Sequence, residues 1–454
     1  MANSRKLNCN LIERVADALF PVVPENSSIV VGLSGGLDSV VLLHLLHAIA
    51  PRFCWKISAQ HVHHGISANA DTWAIFCTTL CKDLVVPLSV EKVNIASLQS
   101  VHGVEAAARK LRYAAFAKSN ADFIALAHHM DDQVETLCLQ LLRGSGVRGA
   151  AAMPLLKLSD STLPSVLRPL LDVQRGAILE YAGLNSLRWI EDESNTDERY
   201  SRNFLRHRIL PLLEQKFPAY RQTLTRCTSH FAEASELLSD LARIDASKAV
   251  VGDCLDLGAL EALSSSRAKN LLRHFIGLQH APYPDTTRLQ EMLRQLKNVR
   301  QDAQISIAWC GWELHCYRRK VYVVKEISSP VDFEVKWSGE SAIELPQLDG
   351  VLHFESTTGS GLSLEKLNQH GILIRSRQGG EAIQVQQDGH HRTLKNIFQE
   401  NNIPPWQRDV IPFLFCCHNL ICVPGVVSAE NFLAKNNEQG VLVSWHKFHY
   451  DAQK

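Results

Sequence analysis

The sequence predicts an α/β fold for its first part, with a parallel sheet covered by helices on both faces. Over residues 27–128, short β-rich segments alternate with longer segments of helical periodicity. Strands that alternate with helices are joined by crossover connections, which make the strands parallel and place helices on both faces of the sheet. Because such sheets bind ligands at the carboxyl ends of their strands, the loops that follow the strands are the expected place for a site.

Each element of this domain follows from the spacing of its apolar residues. The four predicted strands are, in chain order, 28–33, 56–62, 87–93 and 122–127. The four predicted helices, one after each strand, are 38–47, 69–84, 104–118 and 131–143. The first of these helices is apolar on nearly every side, which predicts that it is buried, and the last ends at Gly144.

The rest of the chain predicts two smaller domains. The pattern loosens over 161–208, and helical periodicity returns in a long segment at 221–246. A second helical part spans 257–296 and ends in strand-like segments at 304–309 and 320–324, which predicts a small, mostly helical middle domain. The β-rich end of the chain predicts a small α+β C-terminal domain. The predicted domains are 1–216, 217–326 and 346–454, with a linker over 326–345.

Composition and charge are those of an ordinary globular protein. Of the 454 residues, 46% are apolar and 21% are charged, and the formal net charge is zero. Binding of a polyanion must therefore come from local patches rather than from the field of the whole molecule. The sequence shows no signal peptide and no apolar run of about 18 residues, which predicts a cytoplasmic protein without membrane contact. The twelve cysteines include no Cys-x-x-Cys pair, so we expect reduced, mostly buried thiols.

The most informative segment is Ser34–Ser39, which reads Ser-Gly-Gly-Leu-Asp-Ser and joins an apolar strand to a helix. Glycines let backbone amides approach a ligand, and the helix N-terminus adds unpaired amides and partial positive charge. The segment therefore predicts an anion site for phosphate groups. A plain Gly-Gly turn with Asp38 as a helix cap is the alternative. The phosphate loop that ends in Gly-Lys-Ser/Thr and the dinucleotide pattern G-x-G-x-x-G are both absent.

Histidines and acids follow the second and fourth predicted strands. Three acids, Asp131, Asp132 and Glu135, cluster in the first turn of the helix after the fourth strand. They are either ordinary partners of the helix dipole or a site for Mg²⁺ or a cationic amine, and Asp38 is predicted to meet the same kind of cation. After the second strand, backbone contacts to adenine are favoured over a metal ion. The histidines of both loops either contact substrate or only pack. They are His61, His63, His64, His128 and His129.

The helix over 104–118 has one apolar face and one charged face. Glu105, Arg109 and Arg112 lie on the charged face at positions i, i+4 and i+7. They form either a solvated, salt-bridged stripe or a clamp on phosphates or on the charge of a transition state. The residues themselves leave both interpretations open.

A set of short motifs occurs in a fixed order along the chain. In the first half they are SGGLDS at 34–39, HVHHG at 61–65, VEAAARKLRY at 104–113, AHHMDDQVET at 127–136, LLRGSG at 141–146, RPLL at 168–171 and DESNTDERYSRN at 192–203. Near the end they are GGE at 379–381, LKNIF at 394–398 and IPPWQRDVIP at 403–412. The first motif resembles the pyrophosphate-loop (PP-loop) ATPase superfamily. The ordered set resembles the tRNA(Ile)-lysidine synthases, which belong to it.

The resemblance implies an adenine nucleotide α-hydrolase-like fold and a specific reaction. ATP would adenylate the C2 oxygen of the wobble cytidine (position 34) of tRNA(Ile) with a CAU anticodon. The ε-amine of L-lysine would then attack C2 and displace AMP, which gives lysidine. Mg²⁺ would serve as cofactor, and neither a structural metal nor a nucleophilic residue of the protein is implied.

The motif positions imply roles for individual residues of a first, ATP-binding catalytic domain. Asp38, Arg109 and Asp132 would be catalytic, and Arg112 is a weaker candidate. Asp132 and Glu135 would meet the lysine or the metal. The ATP-binding residues would be Ser34, Gly35, Gly36, Leu37, Asp38 and Ser39.

The resemblance also implies that the later domains bind tRNA. Basic side chains near an aromatic residue suit phosphates and unstacked bases, although each such cluster taken alone is more often a solvated face. A run of arginines at 199–208 and a cluster around Trp406 have this composition. The candidates are Arg202, Arg206, Arg377, Arg392, Lys395 and Arg408. The oligomeric state is open, with a homodimer as one arrangement.

Three rival functions remain at the level of sequence. A tRNA thiolation enzyme of the same superfamily that uses iron–sulfur clusters or persulfides would need paired cysteines near the loop, and a glutamine-fed amidation enzyme would need a second catalytic domain. Neither feature is visible in the sequence. A non-catalytic nucleotide- or RNA-binding module would tolerate loss of site residues, whereas Asp38, Arg109 and Asp132 are all present.

Overall fold

The chain forms two compact units, Met1–Asp240 and Leu241–Lys454. The structure is a computed structural model that describes residues 2–65, 69–94, 104–159, 163–191, 193, 197–299, 305–326, 332–385 and 391–448. Among these residues, no helix is both long enough and apolar enough to cross a membrane. The cysteine side chains in the described part are free thiols, and six of them are buried.

The first unit alternates strands and helices. Its strands are β1 Ser28–Gly32, β2 Lys56–His63, β3 Leu88–Lys92, β4 Phe123–Ala125, β5 Leu156–Lys157 and β6 Ser165–Leu167. Its helices are α1 Ala2–Leu19, α2 Leu37–Phe53, α3 Ala70–Asp83, α4 Val104–Ala117, α5 Met130–Leu142, α6 Val147–Ala150, α7 Arg175–Leu184, α8 Ser201–Phe204, α9 Leu210–Lys216 and α10 Tyr220–Ala249. A π-helical turn, Leu205–Ile209, joins α8 to α9, and the division between the units falls within α10.

One six-stranded sheet in the order β3-β2-β1-β4-β6-β5 organises this unit. Neighbouring strands are parallel except for the short edge strand β5, which is antiparallel to β6. β1 lies between β2 and β4, where Ile29 is opposite both Ile57 and Phe123. This sheet confirms the predicted α/β fold and places the loop after β1 near the middle of the carboxyl edge.

The first half of helix α2 is largely buried. Its residues from Val40 to Leu46 lie within the largest apolar core of the unit, except for half-buried His44. Apolar side chains at almost every position of this half leave it no polar face, so it packs in the interior, whereas His47 and Arg52 in the second half are exposed. Helix α1, which the sequence analysis does not predict, packs Val15 and Leu19 into the same core.

The second unit contains the two smaller groups of elements. Its helices are α11 Leu257–Glu261, α12 Ser265–Leu278, α13 Thr286–Lys297, α14 Leu364–His370, α15 Leu394–Glu400 and α16 Pro405–Arg408. Its strands up to residue 345 are β7 Val250–Val251, β8 Cys254–Asp256, β9 Ile305–Trp309, β10 Trp312–Tyr317, β11 Lys320–Lys325, β12 Glu334–Trp337 and β13 Ala342–Leu345. The later strands are β14 Gly350–Thr358, β15 Leu362–Ser363, β16 Ile372–Arg375, β17 Ala382–Ile383, β18 Arg392–Thr393, β19 Phe413–Cys416, β20 Asn419–Val423, β21 Val427–Ser428 and β22 Gln439–Lys447.

These strands form antiparallel sheets, which confirms the α+β character of the C-terminal part. The sheet β7-β8-β11-β10-β9 packs with α11 to α13, so the middle part carries more strand than the sequence suggests. The linker interpretation of 326–345 is wrong for its described end, because β12 pairs with β16 and β13 pairs with β14. Residues 327–331 of that segment, which include Ser328-Ser-Pro, lie outside the described residues. The predicted domain boundaries stay predictions.

Candidate active site

A cavity of about 640 Å³ lies at the carboxyl ends of the central strands of the first unit. Its walls come from the loop after β1, from the ends of β2 and β4, and from side chains of α3, α4, α5 and α7. The segments 189–191 and 206–207 complete it. Among the residues singled out in the sequence, the lining includes Ser34, Gly36, Leu37, Asp38, Ser39, His61, His64, Arg112, His128, His129, Asp132 and Arg206.

Hydrogen bonds within Ser34–Ser39 hold the loop at the start of α2. The Ser34 amide donates to Ser39 Oγ over 3.2 Å, and the two hydroxyl oxygens lie 3.0 Å apart. Ser39 Oγ also donates to the Gly36 carbonyl over 2.9 Å. The N-cap residue Gly36 has no side chain that could cap α2, so within the described residues the first-turn amides and the partial positive charge of the helix are available to an anion in the cavity.

Gly35 has the backbone conformation and the close neighbours that require glycine. Its φ is +87°, and a Cβ placed there would lie 2.9 Å from Ile190 Cδ1 and 3.3 Å from Cys77 Sγ. The Ile190 amide donates to the Gly35 carbonyl over 2.9 Å. The segment that contains Ile190 is thereby attached directly to the phosphate loop.

Asp38 lies in the first turn of α2 and contacts a histidine. Its Oδ2 is 3.7 Å from His129 Nε2, while its Oδ1 is buried without a hydrogen-bond partner among the described residues. Burial raises the pKa of Asp38 above its usual value, His129 and Arg175 oppose the shift, and the charge of Asp132 adds to it. A buried carboxylate oxygen without a donor is suited to a metal ion or an ammonium group.

His129 lies between the two candidate catalytic carboxylates. Its Nδ1 accepts a hydrogen bond from the Asp131 amide over 3.2 Å, so the proton of the neutral ring is on Nε2. That nitrogen is 3.7 Å from Asp38 Oδ2 and 3.6 Å from Asp132 Oδ2. The His129 amide in turn donates to Asp132 Oδ2 over 2.9 Å, which completes a capping box at the start of α5.

Asp132 is the more acidic of the two carboxylates. Burial alone would raise its pKa, but His129, Arg202 and the His129 amide outweigh burial and hold the pKa below its usual value. Arg206 Nη2 lies 3.7 Å from Asp132 Oδ1. Asp132 is therefore anionic at neutral pH and can hold a cation in the cavity.

Glu135 is fully buried and engaged by two arginines. Arg206 donates through Nε to Oε1 over 2.7 Å and through Nη2 to Oε2 over 3.0 Å. Arg202 Nε lies 2.9 Å from Oε2 as an ion pair without hydrogen-bond geometry. Glu135 does not line the cavity, so the structure disfavours the predicted contact with lysine or metal and gives Glu135 the role of an anchor.

The arginines of the run predicted to meet tRNA pair with acids of the same unit, and the contact of Arg202 and Arg206 with tRNA stays a prediction. Arg202 and Arg206 are held by Glu135, as described above, and Arg206 also lines the cavity. Arg199 pairs with Asp197 and Arg208 with Glu198, both at exposed positions. Exposed pairs contribute little to stability and exchange partners easily, whereas the pairs on Glu135 are structural.

Helix α4 presents Arg112, rather than Arg109, to the cavity. The guanidinium of Arg109 lies 5.3 Å from the centroid of the Tyr113 ring and does not line the cavity. The Arg112 side chain is accessible from the cavity, but the cavity walls around it displace much of its hydration. This desolvation, together with the charge of Arg109, lowers the pKa of Arg112. Arg112 is therefore the arginine of this helix that lies at the cavity wall, and the catalytic role of Arg109 stays a prediction.

The histidines after β2 and β4 do not form a metal site. His61 Nδ1 lies 2.8 Å from the Leu33 carbonyl, and His63 Nε2 lies 3.1 Å from Asp71 Oδ1. Burial lowers the pKa of His64 and that of His128 to about 4, so both are neutral at pH 7. Within the described ranges, no three His, Cys, Asp or Glu side chains converge as metal ligands.

Several residues of the cavity wall are absent from the sequence-based candidates, among them Trp73, Arg175, Trp189 and His207. Arg175 begins α7 shortly after β6, so a prediction of that short parallel strand would have drawn attention to it. His207 lies in the π-helical turn, a conformation that apolar periodicity does not predict but that occurs often at functional sites.

In the second unit, Arg408 and Trp406 are part of the packed interior. Arg408 is 8% exposed, and its Nε donates to the Ile403 carbonyl over 2.9 Å. Trp406 stacks on His315 with ring centroids 4.2 Å apart. The structure therefore disfavours the predicted contact of Arg408 with tRNA.

The other basic candidates of the second unit are closer to the surface. Arg377 Nη1 donates to Asp409 over 2.8 Å, and Arg392 pairs with Glu400. Lys395 is exposed on α15. Arg377, Arg392 and Lys395 stay predicted tRNA contacts.

Three family models match successive parts of the chain. The PP-loop domain matches residues 7–213, the TilS substrate binding domain matches 255–322, and the TilS substrate C-terminal domain matches 372–445. The first match contains every residue that lines the cavity.

Similar proteins are related along nearly the whole chain. The tRNA(Ile)-lysidine synthase of Nitrosomonas europaea is 43% identical over 418 residues, which cover 92% of this chain and 91% of that protein. The tRNA(Ile)-lysidine synthases of Azoarcus sp. and Coxiella burnetii are each 36% identical, over 91% of this chain and 90% and 92% of those proteins. The chain belongs to the tRNA(Ile)-lysidine synthase family. In this tRNA(Ile)-lysidine synthase family member, the segment predicted to be the PP-loop is Ser34–Ser39, which lies at the cavity wall.

We predict that Gly35→Ala destabilises the protein by about 3 kcal/mol, and Gly144→Ala by about 1 kcal/mol. Both glycines have positive φ, which costs a residue with a Cβ about 1–2 kcal/mol. Only at Gly35 would the Cβ also meet neighbours, which adds about 1–3 kcal/mol, because nothing lies within 4 Å of a Cβ at Gly144. Urea unfolding measures both free energies, and equal losses would contradict the packing of Ile190 on the loop.

We also predict that Glu135→Gln lowers the free energy of unfolding by about 2–3 kcal/mol. Loss of one partner from a buried pair costs about 3–5 kcal/mol, and the partial exposure of both arginines reduces the effect. The matched control Glu198→Gln, which breaks an exposed pair, should cost less than about 0.5 kcal/mol. Unchanged stability with a raised KM for lysine would show instead that Glu135 binds lysine.

Proposed function

We propose that the chain ligates L-lysine to C2 of the wobble cytidine (position 34) of tRNA(Ile) with a CAU anticodon, using ATP and releasing AMP and pyrophosphate. One observation carries this proposal. In a member of the tRNA(Ile)-lysidine synthase family, a single cavity joins an uncapped helix N-terminus, suited to phosphates, to two carboxylates around His129. A phosphate site and a cation site are both needed to bring ATP and an amine together.

In the first step, the C2 oxygen of the cytidine attacks the α-phosphorus of ATP. An O–P bond forms, and the bond between the α-phosphorus and the bridging oxygen breaks, so that pyrophosphate leaves. The amides of α2 and the hydroxyls of Ser34 and Ser39 would hold the phosphates. Arg112 and Arg175, which both line the cavity, would neutralise the charge that develops on the leaving group.

In the second step, the ε-amine of lysine attacks C2. A C–N bond forms, the bond from C2 to the adenylated oxygen breaks, and AMP leaves with that oxygen. The ammonium group must lose one proton before the attack and another afterwards. The anionic carboxylate of Asp132 would bind the ammonium group, and Asp38 and Asp132 supply proton acceptors beside it.

The residues present fit a bound Mg²⁺. This cation takes oxygen ligands from one or two carboxylates together with phosphates and water. Asp38 and Asp132 would hold it, since Asp38 Oδ1 is buried without a donor and Asp132 is anionic. When bound, Mg²⁺ would withdraw charge from the phosphate oxygens and so favour attack at phosphorus.

The remaining assignments concern the binding partners, the oligomeric state and the cellular compartment. We propose that Arg392 and Lys395, exposed on the second unit, contact the tRNA backbone. The cytoplasm as compartment, L-lysine as the amine and a homodimer as the assembly stay predictions. Mass spectrometry of the product nucleoside identifies the amine directly, and sedimentation of the purified protein gives the oligomeric state.

We predict that the purified protein releases pyrophosphate only when ATP, Mg²⁺ and a substrate tRNA(Ile) with a CAU anticodon are combined, and that the tRNA contains lysidine only when L-lysine is added as well. Asp38→Asn should abolish pyrophosphate release, by at least about 10²-fold, and leave the circular dichroism spectrum unchanged. The matched control Asp172→Asn changes a carboxylate that is more than half exposed, and should retain activity. A sulfur-containing product nucleoside would reject the proposal in favour of tRNA thiolation.

We predict that Arg112→Ala lowers the rate of pyrophosphate release by about 10²–10³-fold, because removal of one group that stabilises transition-state charge has an effect of that size. The matched control is Arg109→Ala, which removes the same side chain one turn earlier and should change the rate little. Steady-state rates at saturating ATP make the comparison. A large loss in Arg109→Ala with an active Arg112→Ala would restore the assignment made from the sequence.

A further inference from the structure

The second unit contains separate apolar cores for its middle and C-terminal parts. The core of the middle part lies between the sheet β7-β8-β11-β10-β9 and helices α11 to α13. The cores of the C-terminal part are formed by residues from Phe333 onward. Among the described residues, the core of the middle part shares no side chain with the cores of the C-terminal part. The arrangement of the two parts therefore depends on contacts outside these cores.

The hairpin β10-β11 carries an aromatic surface on the face away from its own core. Leu314 and Cys316 of β10 point into the core of the middle part, so His315 and Tyr317, which alternate with them, lie on the opposite face. Tyr322 of β11 is directly opposite His315 in the register and lies on the same face. Since His315 is only 7% exposed, another part of the chain covers this aromatic box of one histidine and two tyrosines.

Trp406 of α16, in the C-terminal part, covers the aromatic box. Its ring stacks on His315, with the centroids 4.2 Å apart and an angle of 15° between the planes. It makes edge-to-face contacts with Tyr322 and Tyr317 at centroid distances of 5.4 and 6.3 Å. Stacked and edge-to-face contacts depend on the orientation of the rings, so the box fixes an angle between the two parts as well as a distance.

Polar contacts lie on both sides of the stacked rings. Within the middle part, Glu313 Oε2 lies 2.8 Å from His315 Nε2 and so holds the histidine ring in its orientation. Between the parts, Arg318 in the turn of the hairpin β10-β11 donates a hydrogen bond to the side chain of Asn402. This contact is a second link beside the aromatic box, and two links restrict rotation more than one.

The segment that carries Trp406 is itself anchored in the C-terminal part. The guanidinium of Arg408 lies 5.6 Å from the centroid of the Phe398 ring on α15. Arg377, just beyond β16, donates to Asp409 over 2.8 Å. Trp406 is thus attached to a fixed segment, and the motif at 403–412 forms the contact between the two parts.

We propose that Trp406 is a positioning residue for tRNA, which joins the middle and C-terminal parts into one rigid body that contacts a single tRNA. This inference rests on the proposed function, in which tRNA is the substrate. Two surfaces held in one arrangement need no ordering when they bind, which raises affinity without a further contact. Both parts expose basic side chains that suit RNA phosphates, among them Lys297 and Lys320 on the middle part and Arg392 and Lys395 on the C-terminal part.

Pulsed electron paramagnetic resonance measures whether Trp406 fixes the two parts. The exposed thiols of Cys310 in the middle part and Cys417 in the C-terminal part carry spin labels, in the full chain with its other accessible cysteines replaced by serine. The distribution of distances between the labels should be narrow in this protein and broad in Trp406→Leu. The matched control Trp337→Leu removes a tryptophan that stacks on Phe354 inside a C-terminal core, and should leave the distribution narrow.

Binding and rate measurements then test the consequence for tRNA. In Trp406→Leu, the Kd for tRNA(Ile) with a CAU anticodon should rise by about 10-fold to 100-fold, because lost preorganisation of two linked surfaces has an effect of that size. The Kd for ATP and the rate at saturating tRNA should stay unchanged, since the cavity lies in the first unit. Trp406→Phe, which can still stack on the histidine, should recover most of the affinity. His315→Ala should reproduce the loss, and the double variant should add little to it.

Three outcomes would overturn the proposal. A narrow distance distribution in Trp406→Leu would show that other contacts fix the two parts. A broad distribution with an unchanged Kd for tRNA would show that tRNA binding does not use the fixed arrangement. An equal loss of tRNA affinity in Trp337→Leu would show that Trp406 acts only through the general stability of the C-terminal part.

Analysis of the product nucleoside separates this proposal from the proposed function. If the unmodified protein binds tRNA in a Trp406-dependent manner but forms no lysidine, the positioning role is supported and the proposed reaction fails. If lysidine forms and Trp406→Leu binds tRNA as tightly as the unmodified protein, the reaction is supported and the positioning role fails. A protein that binds no tRNA would reject both.

Discussion

The site depends on the burial of α2 against the parallel sheet. An uncapped helix N-terminus is a strong anion site only if it is held rigidly and its amides are not used by side chains. Val41, Leu42 and Leu45 fix the helix in the core, and Gly36 leaves its first turn open. The backbone of Gly35 also accepts a hydrogen bond from the Ile190 amide, so a second segment of the chain holds the loop.

A second constraint is the balance of charge around α5. Three acids occupy its first two turns, and each is neutralised by basic residues from a later part of the chain. Asp131 pairs with Arg221 over 2.7 Å, Arg206 lies near Asp132 and binds Glu135, and His129 caps the helix. Without Arg202 and Arg206, the fully buried carboxylate of Glu135 would be an unpaired charge in the interior, which is strongly unfavourable. This arrangement leaves Asp38 and Asp132 as the acids that face the cavity.

The features that the sequence predicts are local in the chain, whereas those that it does not predict depend on contacts between distant residues. Strands β1 to β4, the buried helix α2 and the turn between β1 and α2 follow from local periodicity and from glycine, so the sequence predicts them correctly. The choice between Arg109 and Arg112 depends on how α4 is rotated against the sheet, which the helical period alone does not specify. The pairing of Arg206 with Glu135 joins residues 71 positions apart, and no local pattern reports it. Strand β6 has only three residues, which is too short for a recognisable periodic pattern, so the sequence does not predict it either.

The size of the cavity bears on how the proposed reaction uses the site. A volume of about 640 Å³ lies in the range of pockets that enclose one ligand of moderate size. ATP, a pyrimidine and lysine together exceed one such ligand, so the three need not be enclosed at the same time. Departure of pyrophosphate after the first step frees the end of α2 beside the two carboxylates, and the amine then meets an adenylated base at a partly emptied site. A ligation in two steps at one set of acids is therefore the order that the cavity best accommodates.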